Sequence, residues 1–331
     1  MRRAVTFSTL FELGPQAALD LARLADELGY DSYWTGENAA TEAFSVLSAA
    51  GMAAPRLGLG TAIVPMQLRP PTLVAMAGAT LQAMFPESEI VLGLGYSTPA
   101  VVNRWHGKPY EPHPLERIRE YVDIVRRCLE GGRVDYDGRF TSIKGFKLNV
   151  PLGDRRPLIA LGALNDRMLD VAADIADIVL LSHAPAKAMP HFADIVHEKG
   201  KVLGANVHLA ACDRAESLDA ARRELFPYIT VDAYARMFTA AGYGESVERV
   251  RAAHTAGDRA GALAAISDAM LDDLNSTGDA DALEHVVGTF EQAGADLALI
   301  GPMPWGADPW ATVERTVRAV APHPTQKGKA T

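Results

Sequence analysis

Val91-Leu-Gly-Leu-Gly-Tyr-Ser-Thr-Pro-Ala-Val-Val-Asn-Arg-Trp-His-Gly107 is the stretch that decides how this chain folds. The apolar run from Ile90 to Leu94 has no polar alternation, which predicts a strand buried on both faces. It ends at Gly95-Tyr96-Ser97, where a small residue lets a ligand approach the backbone closely. A buried strand with such an end is typical of the mouth of a parallel barrel. A strand–turn–helix junction without a ligand is the alternative interpretation.

Composition excludes several classes of protein. The chain has 331 residues, of which 48% are hydrophobic, and a formal net charge of −9. It has no basic cluster interleaved with aromatics, which argues against nucleic-acid binding. No apolar segment reaches the ~18 residues of a membrane span and no signal-peptide pattern is present, so we expect a cytoplasmic protein. Cys128 and Cys212 lack metal-ligand spacing and are expected to be reduced thiols.

Strands and helices alternate along the chain about eight times. Because the strand segments are apolar throughout, they predict parallel strands covered by helices, and hence a (β/α)8 TIM barrel. A doubly wound sheet is the alternative, but the glycine-rich fingerprint expected after its first strand is absent. The predicted strands are residues 4–10, 30–35, 57–64, 90–94, 158–161, 178–181, 207–211 and 295–300.

Two insertions interrupt this alternation. Asp137-Gly138 lies between β-favouring residues and predicts a hairpin before strand five. Residues 215–294 are predicted to be almost wholly helical, with breaks near residues 242–244 and 275–278, and they precede strand eight. We expect one domain over residues 1–321 and a disordered polar tail over residues 322–331.

The loops that follow the strand ends of such a barrel carry its function. In this chain they hold few groups that ionise near neutral pH, namely Glu37 and His183, with His106 close behind strand four. No two strand ends carry paired carboxylates, and the sequence has no metal-ligand spacing. So few acids and bases suggest that a bound cofactor carries the chemistry, with a scaffold that binds no ligand as the alternative.

Four motifs follow one another at the predicted strand ends. They are Gly29-Tyr-Asp-Ser-Tyr-Trp-Thr-Gly-Glu37, Leu57-Gly-Leu-Gly-Thr-Ala-Ile-Val64, Leu92-Gly-Leu-Gly-Tyr-Ser97 with Trp105-His-Gly107, and Ala173-Asp-Ile-Ala-Asp-Ile-Val179. In this order they resemble the bacterial luciferase-like family of flavin- and deazaflavin-dependent oxidoreductases. The branch that uses coenzyme F420, a 5-deazaflavin, is the most similar. The resemblance runs from residue 4 to about residue 200 and weakens in the helical part that follows.

The resemblance implies a cofactor that lies across the barrel mouth. Glu37 matches the acidic residue beside the polar edge of the ring, and Asn38 would help to orient ring and substrate. The Ala62–Ile63 peptide matches a cis non-proline bond beneath the ring, although Val64–Pro65 is a rival position for a cis bond. The other implied cofactor-binding residues are Gly95, Tyr96 and Ser97 over the cofactor, Gly162 and Ala163 as backbone donors near its phosphate, and Ser182.

The substrate side is less well defined. Trp34, Trp105 and Trp305 could wall it, together with His106, although each tryptophan could equally be core packing. Some deazaflavin enzymes have a histidine where this chain has Asn38, and a carboxylate where it has Thr98. Neither of these two residues can act as a general acid at neutral pH. His106 and His183 are the remaining candidate proton donors, and a core or surface role is the alternative for each.

The resemblance therefore implies hydride transfer between coenzyme F420 and a small organic substrate, in a homodimer. An FMN-dependent monooxygenase of the same fold and a cofactor-free binding protein are the alternatives. A carboxylate beside a ring that becomes anionic must be protonated or turned towards a donor such as Asn38. We expect Glu37→Gln to weaken deazaflavin binding by roughly 1–3 kcal/mol and to leave FMN binding little changed.

Overall fold

The computed structural model describes residues 1–322, and in them twelve strands alternate with helices. The strands are β1 (Arg2–Thr6), β2 (Ser32–Thr35), β3 (Gly58–Thr61), β4 (Val64–Pro65), β5 (Ile90–Gly95), β6 (Arg133–Asp137), β7 (Ser142–Lys147), β8 (Leu158–Gly162), β9 (Ile178–Leu181), β10 (Val202–Ala210), β11 (Asn275–Thr277) and β12 (Leu297–Pro302).

The α-helices lie between these strands and after them. They are α1 (Gly14–Leu28), α2 (Ala43–Ala53), α3 (Pro71–Met84), α4 (Pro114–Glu130), α5 (Asp166–Ile175), α6 (Met189–Glu198), α7 (Arg214–Ile229), α8 (Asp232–Phe238), α9 (Gly244–Thr255), α10 (Arg259–Ala264), α11 (Asp268–Leu274), α12 (Ala280–Gln292) and α13 (Pro309–Ala319). A short π-helix covers Ala100–Trp105.

Eight of the described strands close into a parallel barrel. Their order around it is β1, β2, β3, β5, β8, β9, β10 and β12, and β12 pairs with β1 to complete the ring. Helices connect successive strands on the outside, as parallel strands require. The predicted TIM barrel is therefore confirmed. The hairpin of β6 and β7 precedes β8, and the run from α7 to α12 precedes β12, so both predicted insertions are present.

The core has two parts. One lies between the strands and the surrounding helices, and the other fills the barrel with Ala4, Trp34, Val91, Ala160, Ile178, Leu180, Leu297 and Leu299. Trp34 is only 1% exposed and its indole Nε1 donates to Ser32 Oγ. A Cβ at Gly60 would lie 2.4 Å from the Trp34 ring, so the glycine makes room for the indole.

The junction of β3 and β4 contains the predicted cis peptide. Gly60 pairs with Val91 and Val64 with Leu94, so this side of the ladder holds one residue more than β5. That extra residue makes a bulge at Ala62 and Ile63. The Ala62–Ile63 bond is cis, as predicted, and it is the only cis peptide in the described part of the chain.

Three element predictions need correction. β1 ends at Thr6 instead of residue 10, because the Thr6 side chain accepts from the Ser8 amide and caps a 3-10 turn. β10 begins at Val202 instead of residue 207, since its inward positions are the small or polar Gly204 and Asn206, which obscure the apolar pattern. The break predicted near residue 275 is the short strand β11, which pairs with β10.

The extent of the domain, residues 1–321, stays a prediction, and the tail predicted over residues 322–331 lies outside the described residues from 323 onward. Within residues 1–322, no helix combines the length and the apolar character needed to cross a bilayer.

Candidate functional site

The floor of the barrel mouth is made of small side chains. Successive residues of a strand point to opposite faces, so the inward positions can be counted from the buried interior residues towards the strand ends. The next inward position lies two residues further along each strand, at Gly36 after Trp34, Gly162 after Ala160, Ser182 after Leu180 and Gly301 after Leu299. The eight inward positions at the mouth are Thr6, Gly36, Ala62, Gly95, Gly162, Ser182, His208 and Gly301. Seven of these eight residues are no larger than threonine.

Neighbouring atoms lie close to two glycines of this floor, backbone at Gly36 and the end of a side chain at Gly95. A Cβ at Gly36 would lie 2.8 Å from the Ala62 carbonyl oxygen, and one at Gly95 would lie 2.7 Å from Ile63 Cδ1. At Gly162 the nearest atoms to a Cβ are 3.9 and 4.0 Å away. A methyl group would therefore fit at Gly162 without a clash, and we call this floor of small side chains the recess.

Glu37 lies beside this floor and is held by Arg69. The guanidinium donates from Nε to Glu37 Oε2 at 3.0 Å and from its terminal nitrogen to Oε1 at 2.5 Å. Oε1 also accepts from the Ala43 amide, and the same terminal nitrogen of Arg69 contacts Glu42. The Glu37 hydrogen bond raises the pKa of Arg69 further above its ordinary value. The partner of Glu37 is therefore a permanent cation, and not Asn38 as the sequence suggested.

Asn38 and His106 meet at the rim. His106 Nε2 donates to the Asn38 backbone oxygen at 2.7 Å, while the Asn38 side chain accepts from the Ala39 amide. Trp105 is 58% exposed beside them. The structure thus brings three of the predicted residues together at one edge of the mouth, and all three are exposed.

The loop after β5 is fixed by hydrogen bonds. The Ser97 amide donates to Gln67 Oε1 at 3.1 Å, and the Tyr96 hydroxyl donates to the Glu111 backbone oxygen at 2.5 Å. Burial raises the pKa of Tyr96, so its phenol stays protonated. The Tyr96 ring packs edge-on against Tyr110, at 5.6 Å between centroids. This loop borders the recess at Gly95 as a preformed element.

One predicted donor is occupied. The Ala163 amide donates to the Leu180 backbone oxygen at 3.0 Å, across the β8–β9 ladder. It is therefore not available to a phosphate, and this prediction was wrong because the ladder continues one residue beyond β8.

The predicted substrate role of two tryptophans also needs correction. Trp34 fills the barrel and Trp305 is buried, which is the core-packing alternative for both.

A second polar group lies at the ends of β9 and β10, where it adjoins the floor. His183 follows β9, has a left-handed backbone (φ 54°) and is 3% exposed. Its Nε2 donates to Glu224 Oε1 on α7 at 3.1 Å, so its Nδ1 accepts from the Ser182 hydroxyl at 3.0 Å. His208 of β10 lies alongside, with 4.3 Å between the two ring centroids. We call His183, His208 and Glu224 the His–His–Glu cluster.

The charges in this cluster are set by burial and by neighbours. Burial and the adjacent His183 lower the pKa of His208 to about 4, so this imidazole is neutral at pH 7. Burial alone would raise the pKa of Glu224, but His183 and the Asn275 amide outweigh it and keep the carboxylate ionised. Tyr228 covers the His183 ring at 3.8 Å between centroids. The cluster is a buried polar group with aromatic cover.

Sequence reasoning missed Arg69, His208, Glu224 and Asn275. Arg69 precedes the double proline that begins α3, a position that gives no sign of a contact with Glu37. His208 lies inside the strand predicted over residues 207–211, whereas only the loops after the strands were considered, and Glu224 lies on a helix of the insertion. A search for ligands close in sequence cannot find a group that draws on three separate elements.

The chain matches the model of the family described as luciferase-like monooxygenase over residues 6–297. The chain belongs to this family. The match extends beyond residue 200, where the resemblance of the motifs weakened, and it includes most of the helical insertion. It is an enzyme family, so the cofactor-free alternative is now the least supported of the three.

Two relatives match along most of their length. A putative coenzyme F420-dependent oxidoreductase of Mycobacterium tuberculosis is 28% identical, over 86% of this chain and 90% of that protein. A 5,10-methylenetetrahydromethanopterin reductase of Archaeoglobus fulgidus is 26% identical, over 91% and 93%.

Solved structures share the fold. The coenzyme F420-dependent tetrahydromethanopterin reductase from Methanopyrus kandleri superposes with a TM-score of 0.80 at 19% identity, over 97% of both chains. A type II Baeyer–Villiger monooxygenase of Pseudomonas putida, in complex with FMN, has a TM-score of 0.65 at 15% identity, over 97% and 98%. At these identities the likeness concerns the fold alone.

Proposed function

We propose that this chain is a coenzyme F420-dependent oxidoreductase that transfers a hydride between the deazaflavin and a small organic substrate. The single observation that carries the proposal is the recess at the barrel mouth, where seven of eight inward side chains are no larger than threonine. A relative named for coenzyme F420, which matches over 90% of its length, supports the deazaflavin over FMN.

The residues of the recess suit a planar ring. A Cβ would collide with backbone at Gly36 and would displace the end of the Ile63 side chain at Gly95, whereas at Gly162 it would fit in ordinary contact with its neighbours. We assign Ala62, Ile63, Gly95 and Gly162 to the floor under the ring. We place Tyr96, Ser97 and Ser182 at the border of this floor. The hydrogen bonds described above fix their positions.

When bound, the deazaflavin supplies or accepts the hydride at its central carbon, so the protein need only orient the reactants and manage a proton. Arg69 fixes the Glu37 carboxylate and compensates its charge, so that the carboxylate repels an anionic ring less. His106 lies at the open rim, where its Nε2–H group donates to the Asn38 carbonyl oxygen. It is our candidate proton donor. Trp105 is proposed to contact the substrate there.

Titration with each cofactor tests the proposal. We expect coenzyme F420 to bind wild-type protein at least ten times more tightly than FMN, measured by absorbance or fluorescence. Gly162→Ala should weaken F420 binding at least tenfold, about 1.4 kcal/mol, with an unchanged melting temperature, because the protein has room for the methyl group. Gly153→Ala is the control, since a Cβ there meets nothing within 4 Å and the residue is exposed.

Each other outcome has a defined meaning. Tight binding of FMN with no measurable affinity for F420 would favour the monooxygenase alternative. If neither cofactor binds the folded protein, the cofactor-free alternative holds. If Gly162→Ala binds F420 as tightly as wild type, the recess is not the cofactor site.

We further propose that two copies associate through α2 and α3. The side of α3 opposite its buried face exposes Leu73, Met76 and Met84, and Met52 on α2 is 73% exposed. A helix that is apolar on both sides is normally covered on both sides. A second copy of the chain supplies such a cover with matching apolar chemistry.

A further inference from the structure

The His–His–Glu cluster is not used by the hydride chemistry proposed above. One ligand atom from each of its residues, a ring nitrogen or a carboxylate oxygen, lies within 4.8 Å of the other two. His183 and His208 are 3% and 5% exposed, and the Glu224 side chain is 21% exposed. Two imidazoles and a carboxylate are thus brought together away from bulk water.

Part of this cluster has unsatisfied hydrogen-bonding groups. His208 Nδ1 is buried without a hydrogen-bond partner, and so is Asn275 Oδ1. The two residues pair in register across β10 and β11, so their side chains are neighbours. A buried polar atom without a partner costs about 1–3 kcal/mol, and a bound ion or water molecule would remove this cost.

We propose that the His–His–Glu cluster binds one divalent transition-metal ion such as zinc. Two imidazole nitrogens and one carboxylate oxygen are a common zinc ligand set. The distance from His183 Nε2 to Glu224 Oε1 is 3.1 Å, near the ~3.3 Å that separates two ligands in a tetrahedron with bonds of about 2.0–2.1 Å. The buried amide oxygen of Asn275 lies next to His208 and offers a fourth ligand.

The groups around the cluster are those that a metal site requires. The Ser182 hydroxyl contacts His183 Nδ1, and the Asn275 amide donates to Glu224 Oε2 at 2.8 Å. On metal binding, Nε2 of His183 gives up its hydrogen bond to Glu224. A metal on Nε2 requires the remaining ring proton on Nδ1, from which it would donate to the Ser182 oxygen. Such outer contacts hold the ligands of metal sites in place.

The position of the cluster indicates a structural ion. Its three ligands come from the loop after β9, from β10 and from α7, the first helix of the insertion. A metal here ties the insertion to the barrel wall. The proposal stands apart from the proposed function, because it needs neither a cofactor nor a substrate.

Metal binding is measured directly on the full-length protein without an affinity tag. After treatment with a chelator, the protein is titrated with zinc chloride by calorimetry, and with cobalt(II), whose visible spectrum reports tetrahedral coordination. We expect one ion per chain and a higher melting temperature with zinc. His208→Gln and Glu224→Gln should each lower the affinity by at least about 100-fold, and Asn275→Leu by about 10–100-fold.

His191→Gln is the matched control, because His191 forms an exposed pair with Asp166 at 2.9 Å outside the cluster, and it should leave zinc binding unchanged. If His208→Gln does not fold, Glu224→Gln decides alone, since glutamine keeps the shape of the side chain and its amide oxygen can still accept from His183. Absence of a one-to-one zinc site in the folded protein would overturn the proposal. So would zinc affinity that Glu224→Gln leaves intact, and in either case the cluster is a hydrogen-bonded network only.

Discussion

Arg69 holds Glu37 through both carboxylate oxygens, with nitrogen–oxygen distances of 3.0 and 2.5 Å. Both side chains are mostly buried, so this is a partly desolvated, two-point ion pair. It links the loop after β2 with the segment that begins α3, and therefore two adjacent walls of the barrel mouth. The role of Glu37 follows from this pair, because its oxygens already accept from Arg69 and Ala43 without any ligand.

Glu37→Gln should lower the free energy of unfolding of the protein without ligand by about 1–3 kcal/mol, the usual contribution of a hydrogen bond to a charged group. Urea unfolding measures this change, and Glu87→Gln, at an exposed position, is the control. A carboxylate that served only as a direct ligand of the ring would leave the stability of the protein without cofactor unchanged. That result would return Glu37 to the role predicted from the sequence.

Glu42→Gln should reduce stability in a manner that depends on pH. Glu42 caps α2, and although burial would raise its pKa, hydrogen bonds from Ser45 and Phe44 and the charge of Arg69 lower it below the ordinary 4.5. The stabilising contribution is therefore complete above pH 4.5 and is lost as the pH falls through the lowered folded value. We expect a loss of about 1 kcal/mol at pH 7 for this half-exposed group.

Urea unfolding of wild type and Glu42→Gln between pH 7 and pH 3 checks the sign, with Glu248→Gln on an exposed position of α9 as control. A difference that grows as the pH falls would contradict the assigned capping role.

Cys128 should be inert in the native protein. Burial in α4 raises its pKa to about 11, whereas an ordinary thiol has a pKa near 8.5. At pH 8 its thiolate fraction is then smaller by about 100-fold or more, and the thiolate is the reactive form. Mass spectrometry after iodoacetamide treatment should find Cys128 unmodified until urea is added. Rapid modification of Cys128 in the folded protein would show that α4 opens readily.

Leu73→Glu combined with Met76→Glu should convert a dimer into a monomer, because two carboxylates would be buried in the proposed apolar interface. Light scattering coupled to size exclusion gives the mass. Ala252→Glu with Thr255→Glu is the matched pair at the same helical spacing on α9, where both residues are exposed, and it should leave the mass unchanged. Equal masses for both double variants would exclude α3 from the interface.

The resemblance of the motifs to a known family gave the position of the cis peptide at Ala62–Ile63, whereas the sequence by itself determined the barrel and the two insertions. It could do so because a strand buried on both faces must be a continuous apolar run, and because a strand end that faces a recess needs small residues. It also supplied the family, since the four motifs lie in order at strand ends. These are local requirements, and each can be read within about ten residues.

Only the tertiary structure decided which charged groups meet. Arg69 reaches Glu37 across 32 residues of sequence, and Glu224 reaches His183 across 41. These contacts arise because the barrel closes and brings the ends of distant strands and their following helices to one face. A buried or partly buried charge must find a partner there, and the nearest one in space is set by strand order and register rather than by spacing in the chain.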